Sequence, residues 1–111
     1  MNREEVFARD DWRCVYCGEQ FPPASLTVDH VQPQMRGGDN SGGNVVTACA
    51  SCNSRKGHRR LAEFLLDEPG ALASFRRLAR HVWPRHLRTL DEALMAGQRR
   101  RKQAQREPPM R

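Results

Sequence analysis

The alternation of apolar and polar positions predicts two short strands near the middle of the chain. Residues 26–31 are rich in β-branched side chains, and residues 44–47 form a second short apolar run. The Gly- and Asn-rich connection between them is long enough to reverse the chain, so the two runs are expected to pair antiparallel. The segment from Cys49 to His58 is then expected to begin a helix.

Helical spacing is predicted on both sides of this hairpin. Asn2 is placed to cap a first helix that carries acidic residues in its opening turn and ends at Asp10 and Asp11. After His58, apolar residues recur at helical intervals in three successive stripes: Leu61, Phe64 and Leu65; then Leu72, Phe75, Leu78, Ala79 and Val82; then Leu87, Leu90 and Leu94. Pro84 begins the third of these segments, and Gly97 is expected to end it.

The pattern stops after Gly97. Residues 98–111 contain six Lys/Arg, one Glu and two Pro without an apolar period, and we expect a basic disordered tail. The sequence therefore predicts an α+β core over residues 1–60, a helical extension over residues 61–97 that packs on the core, and the tail over residues 98–111.

The core needs a cross-link, because a chain of 111 residues that is 38% hydrophobic buries little apolar surface. Four cysteines form two C-x-x-C pairs, Cys14 with Cys17 and Cys49 with Cys52. This spacing lets four thiolates face one tetrahedral ion, and it predicts a structural zinc site. Two disulfides or a redox C-x-x-C pair are the alternatives. The chain opens on no apolar signal segment and has no transmembrane length, so we expect a soluble cytoplasmic protein.

The charge is distributed unevenly. Residues 1–55 carry a net charge of −2 and residues 56–111 carry +8, which together give the total of +6. A basic half beside a metal-binding half is typical of a protein with a polyanionic partner. A solvated basic surface with no nucleic-acid role is the alternative.

Three polar residues flank the predicted hairpin and helix. Asp29 and His30 leave the first strand, and Asn53 faces them from the helix that follows the second strand. These side chains are expected to converge on one space the size of a metal ion.

The motifs together resemble those of the HNH endonuclease family, in the zinc-knuckle branch that includes McrA-like nucleases. The resemblance covers residues 3–60 and rests on the following set: Cys14-x-x-Cys17, Asp29-His30, Gly37-Gly38, Asn44, Cys49-x-x-Cys52-Asn53 and Lys56. It implies a ββα-metal fold and metal-dependent hydrolysis of phosphodiester bonds in DNA.

The resemblance also implies individual roles. His30 is the expected general base, which suits an imidazole that titrates near neutrality. Asp29 and Asn53 are the expected oxygen ligands of one catalytic divalent ion, Mg²⁺ or Mn²⁺. Asn44 is expected to brace the connection and orient the base. His58 lies one residue beyond the position of a further family histidine, so it is a third ligand, a phosphate contact or a polar helix end.

DNA is the expected partner, held mainly through its phosphates. The residues expected to contact it are Arg55, Lys56, Arg59, Arg60, Arg76, Arg77, Arg80, Arg99, Arg100, Arg101 and Lys102. The cations of the helical extension and the tail are expected to set affinity without setting sequence preference. We expect a monomer or weak dimer, with specificity that is either low or supplied by a protein partner, a dimer or the extension.

Two other classes of function are compatible with the pattern. A non-catalytic zinc module can bind nucleic acid through basic helices, and a zinc-stabilised domain can bind a protein through its apolar helical stripes. The nucleic-acid-binding zinc module has no need of Asp29-His30 before a Gly-rich connection and Asn53 after the last cysteine.

Overall fold

The computed structural model describes residues 1–106, except for the side chain of Arg36, and it has the α+β architecture that the sequence predicts. The elements in chain order are α1 (Arg3–Arg9), β1 (Leu26–His30), β2 (Val45–Cys49), α2 (Ala50–Lys56), α3 (Leu61–Asp67), α4 (Pro69–Leu78) and α5 (Pro84–Arg106). Short 3₁₀ turns cover Pro23–Ser25, Gln34–Arg36 and Gly42–Asn44.

The two strands and α2 form a ββα unit. β1 and β2 pair antiparallel, with Leu26 opposite Cys49 and His30 opposite Val45. Cys49 ends β2 and also caps α2. Because α2 starts beside Leu26 and its last residue, Lys56, reaches Asp29 of β1, the helix runs along β1 toward the end that carries His30.

The first helix covers the hairpin. Asn2 caps α1 in a reciprocal capping box with Glu5, as the Asn and the acidic first turn indicate. Val6 and Phe7 of α1 are buried in the core. The chain leaves the helix at Asp10, whose carboxylate accepts hydrogen bonds from the backbone N and the Oγ1 of Thr47, at 3.0 and 2.9 Å.

The helical extension shares the core of the ββα unit. Phe64, Leu65, Phe75 and Leu94 are almost completely buried in the same cluster as the side chains of the hairpin. Between α4 and α5, the backbone N of Trp83 donates to the carbonyl of Gly43 at 2.9 Å. A Cβ at Gly43 would collide with the Trp83 ring, so glycine is required where the extension meets the loop before β2.

The end of the chain differs from the sequence prediction. Gly97 does not end a helix, and residues 98–106 are not disordered, because α5 continues to Arg106. At Gly97 a Cβ would collide with Leu66, so the glycine permits close packing between α5 and α3. Beyond it, Gln, Arg, Lys and Ala are all good helix formers. The rest of the predicted tail, residues 107–111, lies outside the described residues.

The second predicted stripe is also shorter as a helix than its spacing suggests. α4 ends at Leu78, and Ala79 and Val82 are buried in the connection that follows. Arg80 therefore lies beyond the helix that carries Arg76 and Arg77.

Candidate active site

The four cysteines meet at one point. The ligand atoms of Cys14, Cys17, Cys49 and Cys52 all lie within 4.8 Å of one another, and the Sγ atoms of Cys17 and Cys49 are 4.0 Å apart. A tetrahedral zinc ion with Zn–S bonds of about 2.3 Å places its sulfurs about 3.8 Å apart. The four thiols are thus arranged for one metal ion and fit a structural zinc site.

Nitrogen donors lie beside three of the four sulfurs. The backbone N of Tyr16 donates to Cys14 Sγ and the backbone N of Cys52 donates to Cys49 Sγ, both at 3.3 Å, while the Arg55 guanidinium lies 3.4 Å from Cys52 Sγ. Burial raises the pKa of Cys14 to about 11. A metal that binds this thiol as a thiolate therefore displaces a proton, so its affinity falls as the pH is lowered.

Asp29 lies inside the protein. The residue is 9% exposed, and its carboxylate accepts hydrogen bonds from the Tyr16 hydroxyl at 2.5 Å and from the Lys56 ammonium, which is 2.8 Å from each oxygen. Burial, and then the charge of Asp29, raises the pKa of Tyr16 well above its ordinary value, so the hydroxyl stays protonated and donates. Since Tyr16 lies between Cys14 and Cys17, this bond connects the zinc site directly to β1.

His30 follows Asp29 and has a different partner. Its Nε2 lies 2.7 Å from Oδ1 of Asn40, in the connection between the strands. The same oxygen also accepts a longer hydrogen bond from Gln34, at 3.4 Å. With Asn40 Oδ1 as an acceptor, His30 carries its proton on Nε2 and keeps the lone pair of Nδ1. His30 is partly exposed.

Asn44 is completely buried beneath this connection. Its Oδ1 accepts from the backbone N of Gln32 at 2.8 Å, and its Nδ2 donates to the carbonyls of Gln32 and Asp39 at 3.0 and 2.8 Å. The side chain thereby ties the backbone that follows His30 to the backbone that precedes Asn40.

The remaining predicted metal ligands lie on and just after α2. Asn53 is half-buried and lies one helical turn before Lys56, so both are on the side of α2 that faces β1. Gly57, at a φ of 57°, ends the helix. His58 follows it as an exposed residue, away from the regular part of α2.

The cations next to the site differ in their availability. Lys56 is 8% exposed and paired with Asp29, so its expected phosphate contact is not supported by this arrangement. Arg55 pairs with Glu68 at 3.3 Å, and Arg59 pairs with Asp67 at 2.7 Å. Arg60 is exposed and, within residues 1–106, has no carboxylate partner.

The more distant cations lie at the surface. Arg76, Arg77 and Arg80 are exposed, and Arg76 approaches Asp91 of α5 at 3.5 Å. The run from Arg99 to Lys102 belongs to α5, as described above.

Two residues of the site are absent from the sequence prediction. Asn40 holds His30, and Tyr16 holds Asp29. Asn40 lies in a Gly-, Asn- and Ser-rich connection whose composition indicates a loop but not a contact. Tyr16 lies within the first C-x-x-C pair, where the cysteine spacing accounts for the motif without it. In both cases the role depends on a contact between residues that are distant in sequence, and the sequence pattern does not show that contact.

The fold and the four-cysteine site define a zinc-knuckle ββα protein. Residues 14–66 match the family model described as HNH endonuclease. The match begins at the first cysteine of the metal site and ends within α3. This match, over 53 of the 111 residues, supports the family that the sequence predicts.

Two relatives are much longer proteins. The CRISPR-associated endonuclease Cas9 of Corynebacterium diphtheriae is 31% identical over 61 residues, which cover 54% of this chain and 6% of the relative. The crystal structure of the Type II-C Cas9 enzyme from Actinomyces naeslundii matches with a TM-score of 0.54 and 23% identity. That match covers 85% of this chain and 12% of the other, and it shows the similarity of fold alone.

Within residues 1–106, each helix is too short or too polar to cross a membrane.

Proposed function

We propose that this protein is a metal-dependent endonuclease that hydrolyses phosphodiester bonds of DNA. The observation that carries the proposal is the His30–Asn40 pair at the end of β1, inside a domain of the HNH endonuclease family. The imidazole is oriented by a side chain on one nitrogen and keeps the other for chemistry. A zinc module that only binds nucleic acid has no need of this arrangement.

His30 is the proposed general base. With Nε2–H donated to Asn40, Nδ1 can accept a proton from the attacking water. Asn44 stabilises the His30–Asn40 pair, because its three hydrogen bonds fix the backbone at both ends of the segment between these residues. The base therefore rests on backbone that is fixed by a buried side chain.

Asp29 and Asn53 are the residues that would hold the catalytic divalent cation. An ionised carboxylate has about four lone-pair positions, and three of those on Asp29 are occupied by Lys56 and Tyr16. One remains, which fits the single-oxygen contacts that Mg²⁺ or Mn²⁺ makes with carboxylates. When bound, such an ion supplies charge neutralisation at the phosphoryl and leaving oxygens.

Lys56 has a supporting role in this proposal. Its ammonium balances the buried charge of Asp29 and holds the carboxylate in place through both oxygens. We assign the phosphate contact nearest the site to Arg60 instead, because its side chain is exposed and has no carboxylate partner among the described residues.

The proposal is tested on an end-labelled DNA duplex incubated with zinc-loaded protein. Cleavage is expected with Mg²⁺ or Mn²⁺ and none when these ions are chelated. A folded, zinc-loaded protein that binds the duplex and never cuts it would instead be a zinc-stabilised nucleic-acid-binding module. One that neither binds nor cuts would support a protein-interaction domain.

Asn40→Ala is expected to lower kcat about ten- to a hundredfold and leave KM nearly unchanged. The variant keeps His30 and loses the hydrogen bond that orients its ring, together with the longer bond from Gln34. Loss of an orienting partner typically has an effect of this size. Steady-state cleavage kinetics measure this split. An unchanged kcat would show that Asn40 does not position the base.

Asn40→Asp provides the matched control. The carboxylate retains an oxygen acceptor, so most of the rate should return. Its negative charge favours the protonated imidazolium over the neutral imidazole. Because the neutral imidazole is the base, the rising limb of the pH–rate profile is expected to move to higher pH.

Tyr16→Phe is expected to lower the free energy of unfolding by about 1–3 kcal/mol, because a buried carboxylate loses a donor. The ring should keep its packing, at 5.3 Å from Phe64 and 6.0 Å from Phe75 between centroids. Denaturant unfolding of the zinc-loaded protein measures the change. Thr27→Val on β1 is the control, since its half-buried hydroxyl bonds to a neutral acceptor, the Ala48 carbonyl, and its loss should cost less. Equal stability of Tyr16→Phe and wild type would contradict the Tyr16–Asp29 contact.

A further inference from the structure

The end of α5 is an exposed basic helix. Residues 98–106 are all exposed, and they contain five Lys/Arg and no acidic residue. A segment of this length that is wholly solvated gains no stability from an apolar face of its own. Contacts with other parts of the protein therefore have to hold the segment in place.

One side of this helix is fixed to α3. Gly97 packs closely against Leu66. One turn later, the Arg101 guanidinium donates to Asp67 at 2.6 Å and to the carbonyl of Leu66 at 3.3 Å. These contacts set the direction and the rotation of the helix about its axis.

The opposite side carries four polar residues in a helical stripe. Arg99, Lys102, Gln103 and Arg106 occupy positions i, i+3, i+4 and i+7, on the side of α5 away from Gly97 and Arg101. Met95 is one turn earlier in the same stripe and is 56% exposed. Within residues 1–106, none of the four polar side chains has a hydrogen bond or ion pair with the protein. We call these five residues the outer face of α5.

We propose that the outer face of α5 lies in the major groove of DNA and gives the protein a sequence preference. This inference rests on the proposed function. An α-helix with its side chains is about 10–12 Å in diameter, which fits the major-groove width of about 12 Å. Arg and Gln are the side chains that pair in bidentate fashion with guanine and adenine, and an apolar side chain such as Met95 suits the thymine methyl group. This inference replaces the expectation from the sequence that the cations of this segment set affinity alone, because binding phosphates alone requires neither Gln103 nor Met95.

The position of α5 limits the distance between the preferred base pairs and the cleaved phosphodiester bond. The first turns of the helix lie beside the active site, since His86 and Leu90 line one cavity with Val31 and Pro33, which follow His30. From His86, Arg99 is about 20 Å and Arg106 about 30 Å along the helix axis. At 3.4 Å per base pair, the preferred bases lie within about nine base pairs of the cleaved bond.

The test uses full-length, zinc-loaded His30→Ala protein, which should bind without cutting, on a pool of duplexes randomised around the cleavage position. A base preference is expected within about nine base pairs of the cleaved bond. Gln103→Ala should relax it at one position by roughly five- to a hundredfold. Gln105→Ala is the matched control, because the same side chain two residues on lies on nearly the opposite side of the helix, and it should leave the preference unchanged.

Arg99→Lys separates base reading from phosphate binding. Lysine keeps the charge and loses the two-pronged guanidinium, so the preference at one position should weaken while the dependence of log K on log salt keeps its slope. All variants are made in the His30→Ala protein. If the selected bases are the same without a further change, with Gln103→Ala and with Arg99→Lys, or if Gln105→Ala changes them equally, the inference is wrong while the proposed function stands. Failure of the protein to bind any duplex would overturn both.

Discussion

Cys17→Ser is expected to abolish the cooperative thermal transition of the domain. The four sulfurs fit one closed tetrahedral site, and a serine hydroxyl does not replace a thiolate as a zinc ligand at neutral pH. Binding of a structural zinc contributes about 10–16 kcal/mol in small domains, whereas a whole domain is stable by only about 5–15 kcal/mol. Loss of one ligand therefore removes a large part of the total stability.

Circular dichroism during heating measures this effect. Ser51→Ala is the matched control, because Ser51 lies between Cys49 and Cys52 on α2 and is exposed. It should melt like wild type, and wild type stripped of zinc by a chelator should behave like Cys17→Ser. A wild-type melting transition in Cys17→Ser would show that the four-cysteine site does not hold the fold together.

His30→Ala is expected to lower the cleavage rate by about 10²- to 10⁴-fold, the usual contribution of a general base. DNA binding should be retained, since phosphate contacts are assigned to exposed arginines elsewhere. Single-turnover cleavage with protein in excess measures the chemical step apart from binding.

The control for this variant is His58→Ala. His58 is exposed beyond the end of α2 and has no assigned part in the proton transfer. It should cleave at nearly the wild-type rate. Near-wild-type turnover by His30→Ala, or an equal loss in His58→Ala, would contradict the assignment of the base.

The ββα unit was predictable because its signals are local. Alternation marks the strands, the cysteine spacing marks the metal site, and Asn2 with Glu5 marks the start of α1. The family match over residues 14–66 agrees with those motifs.

Contacts between distant residues were not predictable in the same way. The sequence predicts a phosphate contact for Lys56 because this residue closely follows the site. In the fold, however, α2 packs so that the Lys56 ammonium is buried against Asp29, 27 positions earlier. Asn40 shows the same limit, because loop composition does not specify which side chain meets His30. The sequence predicts a helix end at Gly97, because glycine is common there. The reason for this glycine is instead its close contact with Leu66, which depends on how α3 and α5 pack together.

A plasmid-nicking assay tests the central claim most directly. Supercoiled DNA is incubated with folded, zinc-loaded wild type and with His30→Ala, each with Mg²⁺, with Mn²⁺ and with these ions chelated. Wild type is expected to convert supercoiled plasmid to the nicked form only in the presence of a divalent ion, and His30→Ala is expected to leave it supercoiled. Wild-type protein that binds the plasmid and leaves it intact under every condition, or nicking that persists in His30→Ala, would contradict the account.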